Sequence, residues 1–409
     1  MQPTDRCPIS LDPSGRDVHA EAAAIRATGP VAPVVLPGGV AAWSITGFHA
    51  ARQALTDNRF SKDARRHWTA YREGRIGADF PLIGWILMDN LTTAYGEDHT
   101  RLRRPVAGAF TPRRVAALRP GIEKAAAALL DALGARPADE PVDLKAEYAH
   151  ALPSQVICDL FGVPEQSRAA ILHGGEVNVD TTISPEESAA NVERWQRDLA
   201  DFVDHKRRFP GDDLTSDLVA AQRAQPGSLS DEELLGTLHL MLATGTEPVQ
   251  NLIANAVLEL LLHPGQLSEA VAGRVAWTEV IEETLRMQAP VAHLPFRFPT
   301  EDVEVGGVTI PAGEPVLIGF AGAGRDPAVH GGSAAEFDVA RPDKDHLSFG
   351  AGVYRCIGMP LALQEAEIAL SALFGRFPRL RLAVPAERLR PEVTFIMNGR
   401  LELPVLLGA

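Results

Sequence analysis

Between His346 and Gly358 the chain reads HLSFGAGVYRCIG. Cys356 is one of three cysteines, with Cys7 and Cys158, and no CxxC pair occurs. Three roles are open to it: core filler, nucleophile or metal ligand. The loop disfavours the first. Gly350, Gly352 and Gly358 let backbone N–H groups approach a sulfur closely, and an apolar-faced helix, PLALQEAEIALSALFGRF, opens just after it. N–H donors and a helix N-terminus favour thiolate over thiol.

A cysteine hydrolase would need a partner base, and no family-specific histidine signature accompanies Cys356. A lone thiolate suits a metal whose other ligands come from a cofactor, heme iron being the main case. Cys158 lies within LPSQVICDLFGVP, an apolar-faced helical stretch, and reads as a small buried hydrophobe.

These residues need a large framework. The chain has 409 residues, 45% hydrophobic and 22% charged, with a net charge of −14. That composition suits a globular protein with a substantial core and argues against nucleic-acid or anionic-membrane binding. No repeat or low-complexity linker divides it, so one domain over 1–409 is expected. Three scattered cysteines argue against a disulfide framework or a zinc site and fit a reducing cytoplasm. The N-terminus has no basic segment followed by an apolar one, so no secretion signal is expected. No apolar run approaches the roughly 18 residues of a membrane span.

VAPVVLPGGVAAWSITG (31–47) predicts two strands around a Pro-Gly-Gly turn. Helical periodicity dominates from about 47 to 290. The longest helical stretch runs from Ser230, with Glu233 completing a capping box, to about His263 before Pro264. As a single rod it would span roughly 48 Å. Strand signals return after 300, and VTFIMNGRLELPVLL (393–407) predicts an Asn-Gly hairpin. The outline is mainly α with a small β-rich region.

FGAGVYRCIG (349–358) resembles the F-G-x-G-x-H-x-C-x-G loop of the cytochrome P-450 superfamily. Glu283-Thr284-Leu285-Arg286 matches its E-x-x-R, and His99-Thr100-Arg101-Leu102-Arg103 its H-x-x-x-R. LATGTEPV (242–249) stands where the family has A-G-x-[DE]-T, and FRFPTEDVEVGGVTIPAGEPV (296–316) resembles the strands after E-x-x-R. The resemblance covers nearly the whole chain. It implies the family's fold, a triangular helical prism with a small β-rich region, and heme b (iron protoporphyrin IX) as cofactor. It implies Cys356 as axial thiolate and His99, Arg103 and Arg297 as partners of the heme propionates. Phe349, Gly350 and Gly245 join the implied heme-binding set, with Glu283 and Arg286 as a buried pair behind the loop.

The sequence departs from the pattern twice. Tyr354 stands where the family has His or Arg, a neutral hydroxyl facing a propionate. Pro248 follows Glu247 where a threonine is usual, so the proton-donating hydroxyl is lost. A proline still opens the helix, because it has no N–H for the carbonyl of Thr244 and its ring clashes there. Thr244 shares a face with Pro248. Thr244, water or a substrate hydroxyl is a candidate relay, with Glu247 as its acid; equally, Thr244 only bonds back to the helix.

The same resemblance implies a substrate pocket with Leu87, Met88, Met241, Leu294, Phe296, Ile396 and Met397 as candidate apolar lining and Asn90, Asn251 and Asn398 as candidate polar contacts. Arg101, Arg104, Arg113 and Arg114 form a locally basic stretch suited to an acidic ferredoxin. No reductase is fused, so electrons must come from a separate ferredoxin and its reductase. A monomer is expected. Three functions remain open: a monooxygenase on a bacterial secondary metabolite, an oxidase coupling aromatic side chains of a peptide, or a ligand-binding or peroxide-using heme protein.

Overall fold

The Pro37-Gly38-Gly39 turn joins two strands as predicted. Val31–Val35 and Ala41–Ile45 run antiparallel, Val34 opposite Ala42, and both glycines take positive φ. The computed structural model describes residues 8–77, 79–180, 182–225 and 227–408; Cys7 lies outside them. A six-stranded sheet places Ile9–Ser10, Val31–Val35, Ala41–Ile45, Val316–Gly319, His293–Pro299 and Phe60–Ser61 side by side in that order. Ser61 pairs with Phe298, which sets the residue after it, Lys62, beside the strand that carries Arg297.

Helices form the rest of the body, and the fold is mainly α with a small β-rich region. Among them are Glu97–Ala107, Pro112–Gly134, Ala151–Phe161, Trp277–Met287 and Met359–Arg376. The last packs against Pro112–Gly134, Trp277–Met287 and the central helix, and their apolar faces make the largest core cluster. Among the described residues no helix is long and apolar enough to cross a membrane.

The central rod is two helices, Asp231–Thr244 and Glu247–Leu262. The Ser230–Glu233 capping box forms in both directions. The interruption comes where Pro248 stands in the first turn of the second helix, a position that tolerates a missing N–H. A Cβ on Gly245 would lie 2.7 Å from the Met241 carbonyl oxygen as well as against Ile157, so a larger residue at this break must move backbone.

The Asn398-Gly399 hairpin does not form as predicted. The chain does close on itself, with Glu392 N–H donating to Gly399 and Leu401 N–H to Arg390. Between them the chain makes a broad loop, buried over 394–398, whose tip bonds to Pro290 and Ala292. Gly399 does not take positive φ; it is there because a Cβ would strike Asn251 at 2.4 Å. Pro404–Leu406 pairs elsewhere, with Arg381–Leu382 and Val142–Asp143.

Candidate functional site

The cysteine loop is held from three sides. Cys356 N–H donates to the Phe349 carbonyl at 2.8 Å, closing the loop on itself. Gly350 and Gly352 take φ of +68° and +70°, and a Cβ on Gly352 would lie 2.6 Å from the Leu55 carbonyl oxygen. Arg103 donates to the Arg355 carbonyl at 2.7 Å. Ser348 donates to the Leu285 carbonyl, and His346 meets Glu282 at 3.0 Å, which tie the loop to helix Trp277–Met287.

Behind that tie, Glu283 and Arg286 are fully buried and paired through two bonds of 2.7 Å. Arg286 also donates to the carbonyls of Gly324, Ala334 and Glu336. Glu283 accepts from Asp338 N–H at 2.9 Å. The pair is therefore a hub for the 324–338 backbone, more than an ordinary i,i+3 helix contact.

Cys356 is accessible, but protein crowds its sulfur, and desolvation raises the thiol above its usual range. Opposing that are hydrogen bonds from Gly358 and Met359 N–H, at the start of helix Met359–Arg376, and the charges of Arg103 and Arg355. A bound metal cation would tip this balance fully to thiolate. Cys158, by contrast, is sealed in the core, its thiol pushed up to about 11 by burial.

Helix Glu97–Ala107 turns His99, Leu102 and Val106 inward. His99 and Arg103, four residues apart, share a face. Arg297 reaches the same region from strand His293–Pro299. It is 2% exposed, and neither its Nε nor its Nη2 has an acceptor. His99 Nε2 is equally unpaired. Burial lowers Arg297 to about 10; burial and the neighbouring cations Arg103, Arg297 and Lys62 lower His99 to about 4. Both residues line a cavity of about 1040 Å³ with Tyr354. Buried cations without an acceptor are costly, and a dianionic cofactor such as heme b fits this donor set.

Tyr354 differs from its expected role. Its hydroxyl donates to the Ala94 carbonyl at 2.7 Å. Its ring lies 4.2 Å from the His99 ring, between centroids, and 5.1 Å from Arg297 Cζ. The residue offers a π face to the arginine rather than a hydroxyl to an anion.

At the helix break, Thr244 is exposed and its hydroxyl donates to the Leu240 carbonyl at 2.8 Å, the backbone bond foreseen as one of its two roles. Glu247 is buried and edges a cleft of about 350 Å³ with Gln250, His150 and Lys145.

The predicted pocket residues do not share one surface. Leu87 and Met88 line a cleft of about 520 Å³ with Ile183, Val192 and Leu235. Phe296 is buried in an aromatic stack with Trp68, Phe80 and Phe298. Ile396 and Met397 belong to the same core cluster, and Leu294 packs on another. Met241 is buried in the main core. Asn251 is fully buried and donates to Glu392, Asn398 bonds Gln288, and Asn90 caps Thr92. Strand-loop packing, invisible to residue type, takes these side chains inward.

Part of the basic stretch is already paired with acids. Arg101 grips Glu233 with both nitrogens, at 2.6 and 2.9 Å, and Arg114 meets Asp217 at 3.4 Å. Arg104 and Arg113 are exposed, with no carboxylate partner among the described residues. Two groups escaped sequence reasoning. Lys62 is buried beside Arg297, and Glu365 is buried on the helix after Cys356. The signal for Glu365 was present: an acid on the apolar stripe of Leu361 and Ala369.

A family model described as Cytochrome P450 matches residues 276–392. The chain is 49% identical over 401 residues to 2-hydroxy-5-methyl-1-naphthoate 7-hydroxylase of Streptomyces carzinostaticus, covering 98% of each. It is similar to the solved structure of CYP154A1 from Streptomyces coelicolor A3(2), at TM-score 0.93 and 45% identity, over 98% of this chain and 100% of that one. It is also similar to CYP154C4 from Streptomyces sp. W2061, at TM-score 0.95 and 45% identity, over 99% and 98%.

Proposed function

The chain belongs to the cytochrome P450 family of heme b oxidoreductases, and from that membership we propose that it hydroxylates an aromatic bacterial secondary metabolite of about the size of a substituted naphthoate. The observation that carries this is the 49% identity, end to end, with a hydroxynaphthoate hydroxylase. The largely apolar cleft at Leu87 and Met88, about 520 Å³, is of a volume suited to such a ligand.

Cys356 would ligate the iron, with Phe349, Gly350 and Gly358 shaping its loop, and His99, Arg103 and Arg297 would bind the propionates. The heme, once bound and reduced, supplies the activation of dioxygen. The chain's own tasks are to hold that group, exclude bulk water and deliver protons. Glu247 is the candidate acid, at the edge of the cleft it shares with Gln250 and His150. Thr244, donating to Leu240, keeps lone pairs free only to accept; a water or a substrate hydroxyl bridges from Glu247 across the gap left by Pro248. Electrons come from a separate ferredoxin and reductase, with Arg104 and Arg113 as docking charges.

Product mass tests the reading. With a ferredoxin system and a panel of hydroxynaphthoates, hydroxylation adds one oxygen atom. Loss of two hydrogens would indicate oxidative coupling instead. Turnover with peroxide but with no ferredoxin system would indicate a peroxide-using protein.

A further inference from the structure

We infer that Lys62 is a further heme-holding residue: its ammonium joins Arg297 and His99 in receiving a propionate carboxylate, a contact that Tyr354 does not make. The inference rests on the heme reading and adds a residue to it.

Three lysines are buried among the described residues, Lys62, Lys145 and Lys206. Two have a carboxylate: Lys145 pairs with Glu392, and Lys206 with Asp213 at 2.7 Å. Lys62 has none. Among the described residues its one hydrogen bond is to the Pro295 carbonyl at 3.3 Å, which leaves two of its three donors without a protein partner there. The acid next to it in sequence, Asp63, is engaged with Arg66 instead, through a side-chain contact of 3.2 Å and a backbone bond.

Its position is fixed by the sheet. Ser61 pairs with Phe298, so Lys62 leaves the edge strand directly beside Arg297. The neighbours confirm the crowding in electrostatic terms. Burial, and then Arg297, lower Lys62 to about 7, and Lys62 adds a small part to the lowering of His99 by burial, Arg103 and Arg297. A lysine, an arginine and a histidine gathered in the interior, none of them bonded to a carboxylate among the described residues, are costly to bury. A carboxylate brought in by a ligand satisfies all three at once. The geometry of the sheet and the unmet donors carry this; the depressed lysine agrees with it.

The test uses the heme-loaded protein and two variants, Lys62→Met and Lys62→Arg. The readouts are the rate of heme transfer to apomyoglobin, followed in the Soret band, and the heme reduction potential. Loss of one charge-assisted bond predicts that Lys62→Met sheds heme roughly tenfold faster or more. Its potential shifts negative, because a cation that favours the reduced heme is gone, and Lys62→Arg restores both. Parental heme loss in Lys62→Met, or faster loss with an unchanged potential and no rescue by arginine, overturns the inference and leaves Lys62 a tether for Pro295. A parent protein that takes up no heme overturns the heme reading itself, and this inference with it.

Discussion

The ring of Tyr354 lies 5.1 Å from the guanidinium carbon of Arg297, while the tyrosine hydroxyl donates to the Ala94 carbonyl. The ring therefore supports the arginine, and the hydroxyl anchors the segment before helix Glu97–Ala107. Tyr354→Phe should cost about 1 kcal/mol of stability, one neutral hydrogen bond, and leave heme loss near the parental rate. Tyr354→Ala removes the π face and should speed heme loss. Tyr354→His should retain or tighten heme, since its ring can donate to an anion. Heme transfer rates and urea midpoints check all three, and fast heme loss in Tyr354→Phe would show that the hydroxyl does reach the cofactor.

Glu283 and Arg286 make unequal contributions to their shared hub. Removing Glu283 leaves the buried Arg286 charge without its carboxylate, which costs about 3–5 kcal/mol, whereas removing Arg286 leaves Glu283 the longer contact of 3.4 Å with Arg341. Arg286 also satisfies three carbonyls, those of Gly324, Ala334 and Glu336. Arg286→Met should therefore destabilise more than Glu283→Gln, whose amide still accepts from Asp338 N–H. Denaturant unfolding of the two variants gives the order; equal losses would reduce the hub to a simple ion pair.

The helix break separates two candidate proton carriers. Thr244 donates to Leu240, so Thr244→Val should leave the coupling of electron consumption to product within about twofold of the parent, as a back-bonded hydroxyl contributes little. Glu247→Gln keeps the shape and removes the acid. It should lower coupled turnover by 10²-fold or so, the usual size of a general-acid effect. Peroxide yield per electron pair measures both. A strong effect of Thr244→Val would return the relay to that hydroxyl.

Much of this arrangement was legible in the sequence. The Pro-Gly-Gly hairpin and the thiolate-favouring glycine loop follow from local residue chemistry, while the buried Glu283–Arg286 pair and the inward His99 are implied by the resemblance of their motifs to the cytochrome P-450 family. What escaped was set by long-range packing. Phe296 is expected to line the pocket by the family resemblance, yet Trp68, more than two hundred residues away, covers it. Arg101 reads as a solvated charge until helix Asp231–Thr244 brings Glu233 to it. Asn398-Gly399 has the letters of a tight turn, but Asn251 occupies the space that decides the local backbone. Lys62 gives no local signal at all, because its burial comes from pairing of Ser61 with Phe298.

The arginines divide accordingly. Arg101→Glu sets a third acid beside Glu233 and Asp98 and should destabilise the fold, whatever its effect on electron transfer. Arg104→Glu and Arg113→Glu change exposed charges and should cost within about 0.5 kcal/mol of stability. They should slow ferredoxin-driven turnover at low salt, with the difference shrinking as salt screens the encounter. Peroxide-driven turnover should not change. Stopped-flow reduction at two ionic strengths tests this, and parental kinetics in the Arg104→Glu and Arg113→Glu double variant would move the docking face elsewhere.

Burial of Glu365 should make the stability of the protein depend on pH. It is 2% exposed, its Oε2 has no partner, and burial pushes its carboxyl up to about 8 from an ordinary 4.5. Below the lower value the folded and unfolded chains both hold the proton. Between the two, the unfolded chain releases it and the folded chain keeps it, so rising pH favours unfolding. Above about 8 both are ionised, and the folded protein carries the full cost of a buried charge. Glu365→Gln has the same shape and no proton to lose. Its urea midpoint, set against the parent's, should be constant at acid pH, gain steadily from about 4.5 to about 8, and level off beyond. A difference that does not vary across that window would mean that Glu365 finds a partner or a water for its charge.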